Sequence, residues 1–260
     1  MIGVVALAGC SAGVIDAVDL APGALFEGLI AHWTFDDGAG MTATDVAGSS
    51  QNGMISGATM WLQGEHFGGA LRLLGGDSEI QVPMFTQPNA SWSVAGWIRA
   101  PIQDTSDGYA TIMSTEIPQT ATGLPAGGWE LNLRIGMPSN PANPISLYQY
   151  AYWKGPLDNA YSFQECKCFV ENEWTHIAGV LDLDRQTISI YHNGSLVGSD
   201  GPAPKIRPGT DTLYFGRWGF DDTSRHLIGD LDDFVVYNRA LTPPEIRLLA
   251  SAPLPVAPPP

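Results

Sequence analysis

A chain of 260 residues is long enough for one large all-β domain or two small ones, and it can bury a substantial core without disulfides or metals. Charged residues are only 15%, while 30 glycines and 20 prolines predict many turns and few amphipathic helices. The net charge of −15, from 12 basic and 27 acidic residues, leaves no basic block for nucleic acid and disfavours anionic lipid head groups, but it tolerates divalent cations.

Residues 1–25 read as a leader and linker of small residues. The first apolar run ends in Leu7-Ala8-Gly9-Cys10, which resembles the lipobox of bacterial lipoproteins. That resemblance implies acylation of Cys10 and an exported chain, anchored by lipid on the periplasmic or cell-surface side of a bacterial membrane. No Lys or Arg precedes the run, so a buried or frayed leader is the alternative. Nowhere are 18 consecutive apolar residues found, so no ordinary helix is expected to span a membrane.

From Leu29 the texture changes to short apolar or alternating segments separated by turn residues. Strands are predicted over 29–35, 53–61, 70–74, 79–83, 92–99 and 109–114, and then over 129–135, 145–153, 174–183, 187–198, 212–216 and 231–237. About a dozen short strands at regular spacing indicate a sandwich or barrel. Asn193-Gly194 inside the 187–198 segment calls for a type I′ hairpin turn, because both central residues need positive φ. Asn193-Gly194-Ser195 also fits a glycosylation sequon and is read as a turn only. Thr242-Pro243-Pro244-Glu245 predicts a capping box that opens a short C-terminal helix. Residues 251–260 form a proline-rich tail, leaving 26–250 as one folded unit.

Two segments stand out as candidate binding surfaces. On a strand, Tyr148, Tyr150 and Tyr152 share a face, with Trp153 following; they suit sugar stacking or a protein interface, or they simply cover the core. Trp218, Phe220 and Arg225 lie on a loop, where recognition residues commonly sit. Cys166 and Cys168 form a strained local disulfide, half a metal site or two free thiols. Asp230, Asp232 and Asp233 crowd the entry to a buried strand and read as a cation site, a catalytic pair or a solvated turn.

The order of motifs resembles the concanavalin A-like, laminin G-like jelly-roll domains of bacterial surface proteins. It is carried by "HWTFDDGAG" (32–40), "DVAGSSQNG" (45–53), "GGALRLLGGDSEIQVP" (68–83), "SWSVAGWIR" (91–99), "EWTHIAGVLD" (173–182) and "GDLDDFVVYNRALTPPEI" (229–246). The resemblance implies an all-β, two-sheet antiparallel jelly-roll sandwich with one short helix. It also implies a structural calcium near the strand rim, with Asp45, Asn52 and Asp232 as its ligands. The alternative is an acidic turn whose carboxylates accept backbone N–H groups.

Sandwiches of this kind also carry glucanases, which need two glutamates about 5–5.5 Å apart on one strand face. No Glu-x-Asp-x-x-Glu strand occurs, and no Gly-x-Ser-x-Gly elbow follows a predicted strand. His32 and His176 read as core or rim residues, not bases. The expectation is a non-catalytic module of the cell envelope that binds a glycan or a protein partner. The alternatives are an accessory subunit that stabilises a larger membrane complex and, last, a glycoside hydrolase.

Overall fold

The computed structural model describes residues 23–88, 90–101, 103, 108–115, 127–134, 146–153, 160–166, 169–201, 209–219 and 225–256; for 134, 146–153 and 160–166 it describes the backbone. The strands are β1 (Leu29–Trp33), β2 (Thr42–Ala43), β3 (Gly53–Ser56), β4 (Thr59–Gln63), β5 (Gly69–Leu74), β6 (Glu79–Val82), β7 (Trp92–Arg99) and β8 (Tyr109–Ser114). They continue with β9 (Trp129–Arg134), β10 (Ser146–Trp153), β11 (Ala160–Cys166), β12 (Thr175–Asp182), β13 (Thr187–His192), β14 (Ser195–Asp200), β15 (Leu213–Phe215) and β16 (Ile228–Tyr237). Among the described residues one α-helix, α1 (Pro243–Leu249), follows.

The strands form two antiparallel sheets. The first runs β14-β13-β12-β7-β16-β5-β4, with β1 also paired to β16; the second runs β11-β10-β9-β8-β15-β6-β3-β2. This is the expected jelly-roll sandwich. The central strand β16 lies against β7 on one edge, and against β5 and then β1 on the other. Between the sheets, Trp92 and Trp129 meet with ring centroids 4.6 Å apart, joining β7 to β9. Phe215 stands edge-on to Trp33, Phe35 and Phe234, the arrangement that aromatic quadrupoles favour.

Local chemistry explains the breaks between strands. The 53–61 segment, expected as one strand, splits at Gly57, whose φ is 72° and whose missing Cβ would lie 2.3 Å from the Asp77 carbonyl oxygen. Asn193 and Gly194 take φ of 46° and 76°, as the type I′ turn between β13 and β14 requires. At the helix start, Glu245 accepts hydrogen bonds from the Thr242 backbone N–H at 2.7 Å and its hydroxyl at 2.8 Å, so the expected capping box forms.

The outer face of the first sheet is divided. One half carries Ala95, Ala178, Val180, Tyr191, Val235 and Tyr237, and it is covered by α1 and by Leu254 of the tail. The other half carries Trp97, Arg99, His176, Asp230 and Asp232. Among the described residues no helix is long and apolar enough to cross a membrane.

Candidate binding face on the second sheet

The three aspartates that crowd β16 are not a solvated turn. Asp230, Asp232 and Asp233 are exposed by only 2%, 2% and 6%, and each has its own partner. Asp230 is gripped by Arg72 through two hydrogen bonds of 2.6 and 2.9 Å, and Arg99 Nε reaches it at 2.7 Å. Asp232 lies 2.8 Å from His66 Nδ1, and burial pushes its carboxyl above the usual range against the pull of that imidazole. Asp233 meets His32 Nε2 at 2.5 Å and accepts the Leu254 N–H at 3.0 Å, tying the tail to the rim. Its φ of 50° marks the bulge where β16 changes register.

Of the three expected calcium ligands, Asp45 and Asn52 come together and Asp232 does not join them. Asp45 accepts the N–H groups of His32, Ala47, Ser49 and Gln51 and the Ser49 hydroxyl, at 2.8–3.2 Å. The Asn52 amide oxygen accepts the Asp45 N–H at 2.9 Å. A carboxylate has about four lone-pair sites, so this one is filled by protein donors. Among the described residues no three His, Cys, Asp or Glu gather as a metal site. As placed, Asp45 and Asn52 brace a loop while Asp232 pairs with His66, so the three do not fit a bound calcium.

The second sheet shows a different surface. Along β9, Trp129, Leu131 and Leu133 enter the core, so the alternate residues Glu130 and Asn132 belong to the outer face. Both are fully buried there. Glu130 accepts hydrogen bonds from Ser114 Oγ (3.2 Å), Asn132 Nδ2 (2.8 Å) and Arg225 Nη1 (3.3 Å). The Arg225 guanidinium sits 4.3 Å from the Trp218 ring centroid and 5.1 Å from that of Tyr109. This stack fixes the guanidinium by cation–π attraction as well as charge.

Two polar atoms on this face have no partner: Thr111 Oγ1 and Asn132 Oδ1, which belong to fully buried residues directly opposite each other on β8 and β9. A buried acceptor without a hydrogen bond costs free energy, and such groups need an explanation such as water or a ligand. The register of β10 places Tyr148 across from Asn132 and Tyr150 across from Glu130. Positions directly opposite on an antiparallel ladder share a face, so the tyrosine positions fall on the same face of the sheet as Asn132 and Glu130. Trp153 ends the same strand.

Glu130, Asn132, Thr111 and Ser114 escaped the sequence reading. Their signal was the alternation in Trp129-Glu130-Leu131-Asn132-Leu133, which separates a core face from a polar one. Trp218 and Arg225 do come to this site, while Phe220 lies outside the described residues. Cys166 ends β11 opposite Leu147; Cys10 and Cys168 lie outside the described residues.

Residues 74–247 match the sequence profile of the concanavalin A-like lectin/glucanases superfamily, two thirds of the chain. The chain belongs to this superfamily. A search of curated proteins finds no match. Among solved structures, this superfamily member resembles the binding domain of botulinum neurotoxin serotype G, at 17% identity and a TM-score of 0.61, over 86% of this chain and 50% of that one. The serotype D ligand binding domain in complex with N-acetylneuraminic acid is similar at 16% identity and TM-score 0.61, over 87% and 51%. The receptor binding domain of the C/D mosaic serotype matches at 16% and 0.62, over 87% and 51%. The chain thus spans about half the length of these structures, and at such identities the likeness is one of fold.

Proposed function

We propose that this lectin/glucanase-superfamily chain is a non-catalytic glycan-binding module and that its ligand lies on the outer face of the second sheet. The observation that carries this reading is the facing pair of unpartnered polar atoms, Thr111 Oγ1 and Asn132 Oδ1, beside the Arg225–Trp218–Tyr109 stack. A sugar hydroxyl both donates and accepts, so one hydroxyl can serve the amide oxygen while another serves the threonine. Trp218 and Tyr109 supply flat apolar surface for the ring, and β10 continues the sheet beside β9 in register.

The family and the ligand named for the serotype D domain support a carbohydrate as the ligand class. Charge narrows it further. Arg225 is already paired with Glu130, and the chain carries a net charge of −15, so a neutral glycan fits better than an anionic one. The anchor at Cys10 and the exported location belong to the same proposal. An intact-mass measurement of the native protein tests them through acylation at Cys10.

A glycan array probed with the parent protein and with Asn132→Ala tests the binding reading. The expected result is binding to neutral glycans that falls by about fivefold or more when the amide is removed. An array with no hits, together with stoichiometric co-purification of membrane proteins, replaces this reading with that of an accessory subunit.

A further inference from the structure

The polar half of the first sheet's outer face carries a second group of orphaned atoms, and it lies across the sandwich from the first. Cross-strand register lines up Asp232, Trp97 and His176 in one row and Asp230 with Arg99 in the next. Trp174 precedes β12 and lies under the Arg99 guanidinium, 4.9 Å from its ring centroid. Trp97 Nε1, Trp174 Nε1 and His176 Nδ1 are all buried without a hydrogen-bond partner. His176 itself is only 1% exposed.

A hairpin tip covers these groups, and its His66 ring fills the space above them. Between β4 and β5 the chain closes with Gly64 N–H on the Gly68 carbonyl, and the three residues between them fold down onto the sheet. Glu65 pairs with Arg99 at 3.2 Å. The His66 ring lodges among Phe67, Trp97 and Trp174, with centroids 3.9, 4.4 and 4.7 Å away, and its Nδ1 meets Asp232. His66 takes φ of 42°, an unfavourable region for a residue with a Cβ, so the contacts of the tip hold its backbone against local preference. Gly64, with φ of 67°, supplies a permissive pivot.

We infer that His66 is a removable plug and that the recess beneath it, formed by Trp97, Trp174, His176 and Asp232, is a second binding site for a neutral pyranose ring. The unpartnered groups select the ligand. Indole N–H groups only donate, so the ligand must offer acceptors; Asp232 accepts, so the ligand must also donate. Neutral imidazole at His176 serves either role. A pyranose meets all three needs and stacks its apolar face where the imidazole now lies, whereas an organic cation offers the indoles nothing. The site stands on its own residues and does not depend on the second-sheet reading.

The test titrates methyl glucoside, galactoside and mannoside separately into the parent chain and His66→Gly, following tryptophan fluorescence and calorimetry. Glycine keeps the positive-φ position comfortable, so the variant is expected to fold. Emptying the recess raises the apparent affinity for at least one of the three by about tenfold, as removal of a competing occupant requires. In that background Trp174→Phe, which keeps a ring and deletes the N–H, returns about fivefold, and Trp97→Phe does the same if the first variant melts early. Asn132→Ala leaves this gain intact. No gain in His66→Gly means that ordered water alone serves the orphaned atoms, and the inference falls. It falls equally if the gain ignores both tryptophan variants or disappears with Asn132→Ala. Loss of only the Asn132-dependent binding would instead sink the second-sheet reading and leave this one standing.

Discussion

Asp230 shows how a carboxylate can be sunk beside a core. Its side chain is 3% exposed, and two guanidiniums satisfy it from neighbouring strands. Removing it with Asp230→Ala leaves Arg72 and Arg99 facing each other across the gap. Because Arg72 is 39% exposed and can turn to water, the expected loss is about 2 kcal/mol, below the usual cost of breaking a buried pair. Urea denaturation measures it, and a loss below the noise would mean that the network is ornamental. Asp45 plays a comparable role within one loop. Asp45→Ala strands four backbone N–H groups, which predicts a loss of about 3 kcal/mol in EDTA and in calcium alike. A loss that appears only in calcium would return the cation to this loop.

His176 gives a pH signature. Burial, then the neighbouring His192 and His66, hold its pKa down at about 3 against the ordinary 6.5. The folded chain therefore keeps this imidazole neutral while the unfolded chain takes up a proton. Stability from this residue is complete above pH 6.5 and is lost as pH falls toward 3, at up to about 1.4 kcal/mol per pH unit. Between pH 6.5 and 5 the parent should lose about 2 kcal/mol more than His176→Gln. Parallel losses in the two proteins would contradict the assignment.

At the scale of elements, Gly96 on β7 is a point of close approach inside the sandwich. A Cβ there would lie 2.4–2.7 Å from the Phe234 ring, which is fully buried and cannot step aside. Gly96→Ala should destabilise by about 2–3 kcal/mol through overpacking, seen as a lower melting temperature without a change of fold. The strands themselves were largely legible, because period-2 alternation and turn residues are local signals. β8 and the helix cap appear where the sequence puts them. What the sequence withheld is pairing. Nothing local says that β10 lies beside β9, so the tyrosine positions could be read as facing the core as easily as away from it. β11 was missed outright, its pattern hidden in a segment with no clear alternation. The same limit explains the site: Asn132 and Thr111 look unremarkable until register sets them opposite each other, while Trp218 and Arg225 announced themselves by residue type.

At the scale of the molecule, two sheets close around one aromatic core and leave two outer faces with different cover. The first face is half sealed by α1 and the tail, through Leu254 and Asp233, and half plugged by the His66 tip. The second carries a buried polar row with unpartnered atoms beside the Arg225–Trp218–Tyr109 stack. Such an arrangement suits recognition, since the rigid core fixes the positions of the recognising groups and the faces carry the specificity. The most direct measurement of this claim is amide and side-chain NMR mapping of the parent protein with the neutral glycan that binds best on the array. The account predicts shifts concentrated at Thr111, Ser114, Asn132 and Arg225. Shifts confined to the sandwich edges, or none at saturating glycan, would contradict it.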